Sequence, residues 1–357
     1  MAKRIIDRDR MESLRNELGF KDPGIFEKSV YAFNLLSEVV KSYPDLVFKG
    51  GTSLLLHIFP PARLSIDIDI LLPPSEKEGL SERLTQMAAD SDWFEGIEES
   101  HRKNKTIPKA HFKFPITSHF SKIQQYVLLD VVFTEAPYGS LLQKDIATNP
   151  MAFAGARGVV NVPTVEGLLG DKLTAISPKT MGIPLVPDRT MEFMKQIIDL
   201  GELFKVADDV EELRRSFVNT VMVENGFRNS AHSSDDVFDD ITEIAFRYSQ
   251  ALLRGGNTAF EEIGLLNDGN ARVANHLRAR LSPDRIKISF ARIAYVISIL
   301  RQGKAGKMVK QVDMSMVKDR VFPEKYKILE KLRAALPEAY FYWALAVVKN
   351  ETKNILL

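Results

Sequence analysis

The sequence predicts an α+β protein: an N-terminal mixed β-sheet flanked by helices over residues 1–155, then a predominantly helical domain over 156–357. Three observations carry this. Strand and helix patterns alternate up to about residue 134, and the pattern turns purely helical after Pro163. An apolar fraction of 45% over 357 residues is ordinary for a globular chain, and enough for two cores.

Residues 24–42 place Ile25, Phe26, Val30, Phe33, Leu36, Val39 and Val40 at helical spacing, and Pro44 follows the expected end. From Leu46 to Pro74 the pattern is a short strand, a Gly-Gly turn, a short helix closed by Pro60-Pro61, and a second strand ending at Pro73-Pro74. In that second strand Leu64, Ile66, Ile68 and Ile70 alternate with Ser65, Asp67 and Asp69, giving one apolar and one acidic face. Residues 76–90 read as a helix, 110–116 and 125–134 as two further strands. The segments around 164–177 and 191–206, and most of 209–350, read as helices with short turns between them. The boundary falls near 150–163.

Charge is balanced, 48 Lys plus Arg against 47 Asp plus Glu, for a net +1. That excludes a supercharged nucleic-acid coat or a polybasic membrane binder, though not a local basic face. The absence of cysteine removes a disulfide scaffold, a Cys zinc site and a thiol nucleophile together. No apolar run approaches the roughly 20 residues of a membrane span, and the first residues lack a signal-peptide core. The expectation is a cytoplasmic protein with no membrane partner.

Chemistry concentrates at Gly50-Gly51-Thr52-Ser53 and, after thirteen intervening residues, Asp67-Ile68-Asp69. Residues i and i+2 of a strand share a face, with Cα atoms roughly 6–7 Å apart, so both carboxylates project together. Such groups, with a substrate phosphate, can hold Mg²⁺ (or Mn²⁺), a hard ion that prefers oxygen ligands. The glycine turn opening a helix offers backbone N–H groups to phosphate oxygens, and Thr52 and Ser53 add hydroxyls. Taken singly, an Asp-x-Asp also describes a solvated strand face, and a Gly-Gly any turn. Asp130, inside the apolar run YVLLDVVF, is a third carboxylate. Unpaired burial there would cost several kcal/mol, which metal coordination, a buried Arg or backbone caps would each remove.

Lys49-Gly50-Gly51-Thr52-Ser53-Leu54 followed by Arg63-Leu64-Ser65-Ile66-Asp67-Ile68-Asp69 resembles the AbiEii/AbiGii toxin family of nucleotidyltransferases. These are MenT-like members of the DNA polymerase β-like superfamily. The resemblance is specific over 46–72 and looser to about 205. It implies Mg²⁺-dependent transfer of a nucleoside monophosphate from an NTP to an RNA acceptor, with the tRNA 3′ end as the best guess. It also implies a toxin neutralised by a cognate antitoxin. Asp67 and Asp69 would hold the metals, with Asp130 binding the catalytic one. Lys49, Gly50, Gly51, Thr52 and Ser53 would sit at the nucleotide. Gly170-Asp171-Lys172-Leu173 resembles the family helix whose lysine meets the phosphates, which puts Lys172 there, unless it is an ordinary exposed helix lysine. Lys195-Gln196-Ile197-Ile198-Asp199-Leu200 resembles the following acidic segment, with Gln196 replacing its first Asp. Asp199 is therefore the last acidic position, and Asp188 the fallback. Arg63 would contact phosphate or brace a carboxylate. Ser65, on the Asp67 face by period two, is a ligand-contacting hydroxyl or a tolerated small residue.

Residues 101–122 contain six Lys/Arg, three His and no acid. Arg102, Lys103, Lys105, Lys109 and Lys113 suit an RNA backbone, and the interleaved Phe112, Phe114 and Phe120 suit either stacked bases or a core. The histidines lack metal-ligand spacing. Two other enzymatic readings share this site: transfer to a protein or small-molecule hydroxyl, and kinase-like γ-phosphoryl transfer. A catalytically idle nucleotide- or RNA-binding module is the rival outside catalysis.

Overall fold

Asp22 starts the long helix that carries the N-terminal core. Its side chain accepts the Ile25 N–H, Pro23 occupies the first turn, and Phe26, Val30, Phe33, Leu36 and Val39 are fully buried along one stripe. In this computed structural model, which describes residues 7–100, 107–153, 155–251, 253–303 and 306–347, the chain divides into two compact units. The first comprises Met1–Leu168, Gly226–Ser230 and Ala274–Arg280; the second Leu169–Asn225, Ala231–Val273 and Leu281–Leu357.

In the first unit, helices α1 (Arg8–Leu18), α2 (Pro23–Ser42), α3 (Gly50–Ser53), α4 (Leu80–Asp90) and the start of α5 (Val165–Ala175) accompany one mixed sheet. Its strands are β1 (Val47–Lys49), β2 (Ile68–Leu72), β3 (Glu98–Glu99), β4 (Lys109–Thr117), β5 (Gln124–Phe133), β6 (Leu141–Asp145) and β7 (Val159–Pro163), in the order β3-β4-β5-β2-β1-β7-β6. β5 is parallel to β2 and β7 to β1; the other neighbours are antiparallel. Val127, Leu129, Val131 and Phe133 of β5, with Ile68, Ile70 and Leu72 of β2, belong to the main core on one face. The alternate residues turn the other way.

Phe112 and Phe114 point into that core at 1% and 0% exposure, and Phe120 packs against it. The role of Phe112 and Phe114 is packing, so the base-stacking alternative falls away for those two rings. The β4–β5 connection is pinned from α2. The buried carboxylate of Glu27 accepts hydrogen bonds from Ser118 Oγ and the His119 N–H, both at 2.6 Å. That anchor helps fix the register of the hairpin.

The acidic strand is shorter than its alternation suggests. It begins at Ile68, and residues 64–67 lie outside the ladder because their backbone is bonded elsewhere. The Leu64 N–H donates to His276 O, Ser29 Oγ to Ser65 O, and Thr52 Oγ1 to Asp67 O. The period-two placement of Ser65 beside Asp67 therefore has no strand beneath it.

The second unit continues α5 and adds α6 (Thr190–Val206), α7 (Val210–Arg228), α8 (Ser234–Gln250), α9 (Glu261–Arg272), α10 (Pro283–Gln302), α11 (Leu332–Ala335) and α12 (Pro337–Val347). Residues 226–228, the last of α7, are grouped with the first unit. α10 packs on α6, α8 and α12, around buried Phe290, Tyr342 and Trp343. Val237, Phe238, Ile241 and Ile244 form the buried stripe of α8, as the amphipathic pattern predicts. One of its acids is not on the solvated face: Asp240 is buried, accepting the N–H groups of Lys179 and Thr180 at 2.8 and 2.9 Å. Burial raises its pKa, opposed by those hydrogen bonds.

His57, just after the short helix, provides a pH probe of the first unit. Burial, reinforced by Lys144, pushes its pKa down to about 4 against an opposing hydrogen bond to the Pro163 backbone, and its Nε2 is buried without a partner. A base with a depressed folded-state pKa contributes stability above its unfolded value, near 6.5, and loses it as pH falls toward 4. Urea unfolding should show about 3 kcal/mol lost across that window, and His57→Gln should flatten the slope. Parallel pH profiles for the two proteins would exclude His57 as the source.

Candidate active site

A polar rung crosses the sheet on the face opposite the main core. Lys49 of β1 pairs in register with Asp69 of β2, Asp69 with Asp130 of β5, and Asp130 with His111 of β4. Residues directly opposite on neighbouring strands share a face and bring their side chains close. Two carboxylates thus lie side by side with a basic residue on each flank. The sequence reading singled out both aspartates, and the sheet puts them in adjacent strands at the same level.

The glycine turn abuts this rung. Gly50 has φ +79°, in the left-handed region, and a Cβ there would collide with the Asp69 carboxylate, whose Cγ would lie at 2.8 Å. At Gly51 a Cβ would strike the Arg63 guanidinium and come within 2.7 Å of Ser65 Oγ. Both glycines are therefore required by space, and Gly50 by its backbone angle as well. They let the turn lie directly against Asp69, Arg63 and Ser65.

The hydroxyls that follow are engaged with backbone. Thr52 Oγ1 donates to Asp67 O at 2.5 Å and Ser53 Oγ to Gly50 O at 3.0 Å, both from fully buried side chains. They brace the turn against the acidic segment. Arg63 is buried, donates through Nη1 to Leu64 O at 3.1 Å, and makes a backbone bridge to Leu277.

Sequence reasoning set the histidines aside because their spacing fits no metal. His111 nevertheless holds Asp130, with Nδ1 and Oδ1 2.6 Å apart and both side chains largely withdrawn from solvent. It thereby occupies the partner position for which a buried Arg or backbone cap was considered. The available signal was the alternation of Lys109, His111 and Lys113 with Ala110, Phe112 and Phe114, which puts His111 on the non-core face. Its partner on β5 depends on the hairpin register, a tertiary property. Lys28 and Tyr126 were also missed: Lys28 Nζ lies 5.1 Å from the Tyr126 ring centroid and feels the charge of Asp67.

Lys109 and Lys113 lie on β4, sharing the His111 face; Arg102, Lys103 and Lys105 lie outside the described residues. In the second unit, Lys172 of α5 is buried, with Nζ 2.8 Å from Asp199 Oδ2 and 2.9 Å from Gln196 Oε1 of α6. Lys172 is thus not an ordinary exposed helix lysine. The residue that takes the place of the family's first Asp still contacts the lysine, as a neutral amide. Asp188 is exposed in a short 3₁₀ turn.

Among the described residues, no three His, Cys, Asp or Glu side chains converge into a ready-made metal cage. The donor set nonetheless suits Mg²⁺ or Mn²⁺. Asp69 and Asp130 are hard oxygen donors on adjacent strands, with Asp67 two residues away, and Mg²⁺ is usually held by one or two carboxylates while substrate phosphates and water complete its shell.

A mixed sheet bearing paired carboxylates beside a tight glycine turn suits the handling of nucleoside phosphates. The family model described as "Nucleotidyl transferase AbiEii toxin, Type IV TA system" matches residues 34–263, more than half of the chain. The chain belongs to that family and is a nucleotidyltransferase of the type IV toxin class. Membership implies an NTP substrate and an antitoxin counterpart. Among solved structures, it is similar to the Helicobacter pylori protein JHP933, at 13% identity and TM-score 0.44, covering 78% of this chain and 93% of that one. It is also similar to an H. pylori protein named for a proposed nucleotidyltransferase activity, at 14% identity and TM-score 0.46, covering 78% and 98%. No curated protein matches it. No described helix is long and apolar enough to cross a membrane.

Proposed function

We propose that the protein is a Mg²⁺-dependent nucleotidyltransferase that adds a nucleoside monophosphate from an NTP to RNA, at the tRNA 3′ end. It would arrest growth in the cytoplasm unless its antitoxin counters it. The observation that carries this reading is the rung Lys49–Asp69–Asp130–His111 lying against the Gly50–Gly51 turn. Asp67, Asp69 and Asp130 would hold the divalent ions, which supply charge neutralisation at phosphorus. The backbone of Gly50 and Gly51, with Lys49 and Arg63, holds the triphosphate. Lys172 is assigned to the phosphates by family resemblance.

In the transfer, the RNA 3′ oxygen forms a bond to the α-phosphorus as the bond to the bridging oxygen breaks and pyrophosphate leaves. Asp130 accepts the hydroxyl proton. His111 is a positioning residue: donating from Nδ1, it holds the Asp130 carboxylate in one orientation. His111→Ala should lower kcat about 10-fold or more with little change in the KM for NTP, and His111→Asn, which can still donate, should recover part of the loss. Equal kcat in wild type and His111→Ala would remove that role.

The reading is tested by incubating the protein with Mg²⁺, total RNA and NTPs labelled at either the α or the γ phosphate. Nucleotidyl transfer puts α label, and no γ label, into RNA. Label from the γ position would mean a kinase, and label in protein a different acceptor.

A further inference from the structure

Outside the polar rung, the same face of the sheet carries an exposed aromatic ring between two cations. Tyr126 is 42% exposed on β5, four residues before Asp130, so period two puts both on one face about 13 Å apart. Lys28 Nζ of α2 and Lys113 Nζ of β4 lie 5.1 and 5.0 Å from its ring centroid. Two independent elements thus deliver an ammonium group to one ring.

A tyrosine serving only to fill space would turn this surface inward, as Tyr31 does in the adjacent core at 4% exposure. Lys28 also ties the ring to the acidic site. Partial burial lowers its pKa while the charge of Asp67 opposes that shift, so the side chain lies within electrostatic reach of the carboxylates. The site has a direction as well. The glycine turn lies on the β1 side of Asp69, whereas Asp130 and Tyr126 lie on the β5 side. A triphosphate at Gly50–Gly51 leaves the β5 side to the acceptor strand.

We propose that Tyr126, Lys28 and Lys113 form an acceptor subsite: a base of the incoming RNA strand stacks on the Tyr126 ring, and the two lysines bind its flanking phosphates. Base–aromatic stacking is tolerant of sequence, and lysine–ring contacts at exposed sites are weak enough for a base to displace. The subsite supplies grip about 13 Å along β5 from Asp130, where it can align the strand without touching the reaction centre. The inference rests on the reading of the protein as an RNA-modifying enzyme.

The test measures binding without turnover. Fluorescence anisotropy with a labelled single-stranded oligoribonucleotide, in the absence of NTP, reports the acceptor; calorimetry with a non-hydrolysable NTP analogue reports the nucleotide. Tyr126→Ala should weaken the oligoribonucleotide about 10-fold or more and leave analogue affinity unchanged, with an unaltered thermal midpoint. Tyr126→Phe keeps the stacking surface and should restore most of the RNA affinity. Lys28→Gln with Lys113→Gln should reduce the salt dependence of binding. Wild-type RNA affinity in Tyr126→Ala overturns the subsite. Loss of analogue affinity instead assigns the ring to the NTP base, which also overturns it. A protein that transfers no nucleotide to RNA yet loses RNA affinity in Tyr126→Ala would refute the proposed reaction and leave the subsite standing.

Discussion

Asp69→Asn is expected to reduce nucleotidyl transfer by about 10³-fold while the protein stays folded. The side chain keeps its shape and its place on β2, paired in register with Lys49 and Asp130 and packed against Gly50. What it loses is a formal charge in the rung that would hold the metal. Several kcal/mol of charge stabilisation corresponds to the expected factor. Asp130→Asn should give a loss of similar size, because it removes the second carboxylate of the rung and, in the proposed mechanism, the acceptor for the hydroxyl proton. Neither change should shift the thermal midpoint by more than a few degrees. Wild-type rates in both variants would mean that the chemistry lies elsewhere.

Lys172→Ala is expected to destabilise the second unit by about 3–5 kcal/mol. It leaves Asp199 buried at 3% exposure without the ammonium group 2.8 Å away. The Coulomb attraction of a buried pair does little more than offset the desolvation of both ions, so removing one partner costs far more than removing both. The double variant Lys172→Met with Asp199→Leu should therefore recover most of the stability, measured by urea unfolding. The comparison separates two roles. If transfer returns with stability in the double variant, the Lys172–Asp199 pair is structural; if stability returns and transfer does not, the pair serves the reaction.

The sequence was most legible where the chain repeats a simple period. β4 and β5 alternate so cleanly between Phe112, Phe114, Val127, Leu129 and Val131 on one side and Lys113, Asp130 and their neighbours on the other that both strands were placed to within a residue or so. α2 was equally plain from its buried stripe; the expectation of helices over most of 209–350 fails between α10 and α11, where the described residues hold two 3₁₀ segments, Met314–Val317 and Glu324–Lys331, and no α-helix. β6 was missed because Leu141, Leu142 and Gln143 are all exposed, so no alternation marks it, and β3 is too short to show one. The stretch from Leu64 to Asp67 alternates like a strand but gives its backbone hydrogen bonds to Ser29, Thr52 and His276 instead of a ladder. A pattern reports which side chains turn inward, not what the backbone is bonded to.

The candidate site was legible in its residue types and only partly in its arrangement. The carboxylates and glycines, each common alone, declare themselves by occurring in order on one strand–turn–helix–strand frame, and Asp130 by lying in an apolar strand where it needs a partner. The placement of His111 against Asp130, and of Lys28 and Lys113 around Tyr126, depends on cross-strand register and on the packing of α2. No local window contains that information. The Lys172–Asp199 contact joins two helices in the same way: the family resemblance names both residues, and only the structure pairs them.

The proposed addition of nucleotides to RNA ends is tested most directly by reading those ends. RNA incubated with the protein, Mg²⁺ and the four NTPs, then sequenced at its 3′ termini, should carry untemplated nucleotides on tRNA that are absent with the Asp69→Asn variant. Unextended RNA ends, with α label recovered on protein or on a small molecule instead, would contradict the account.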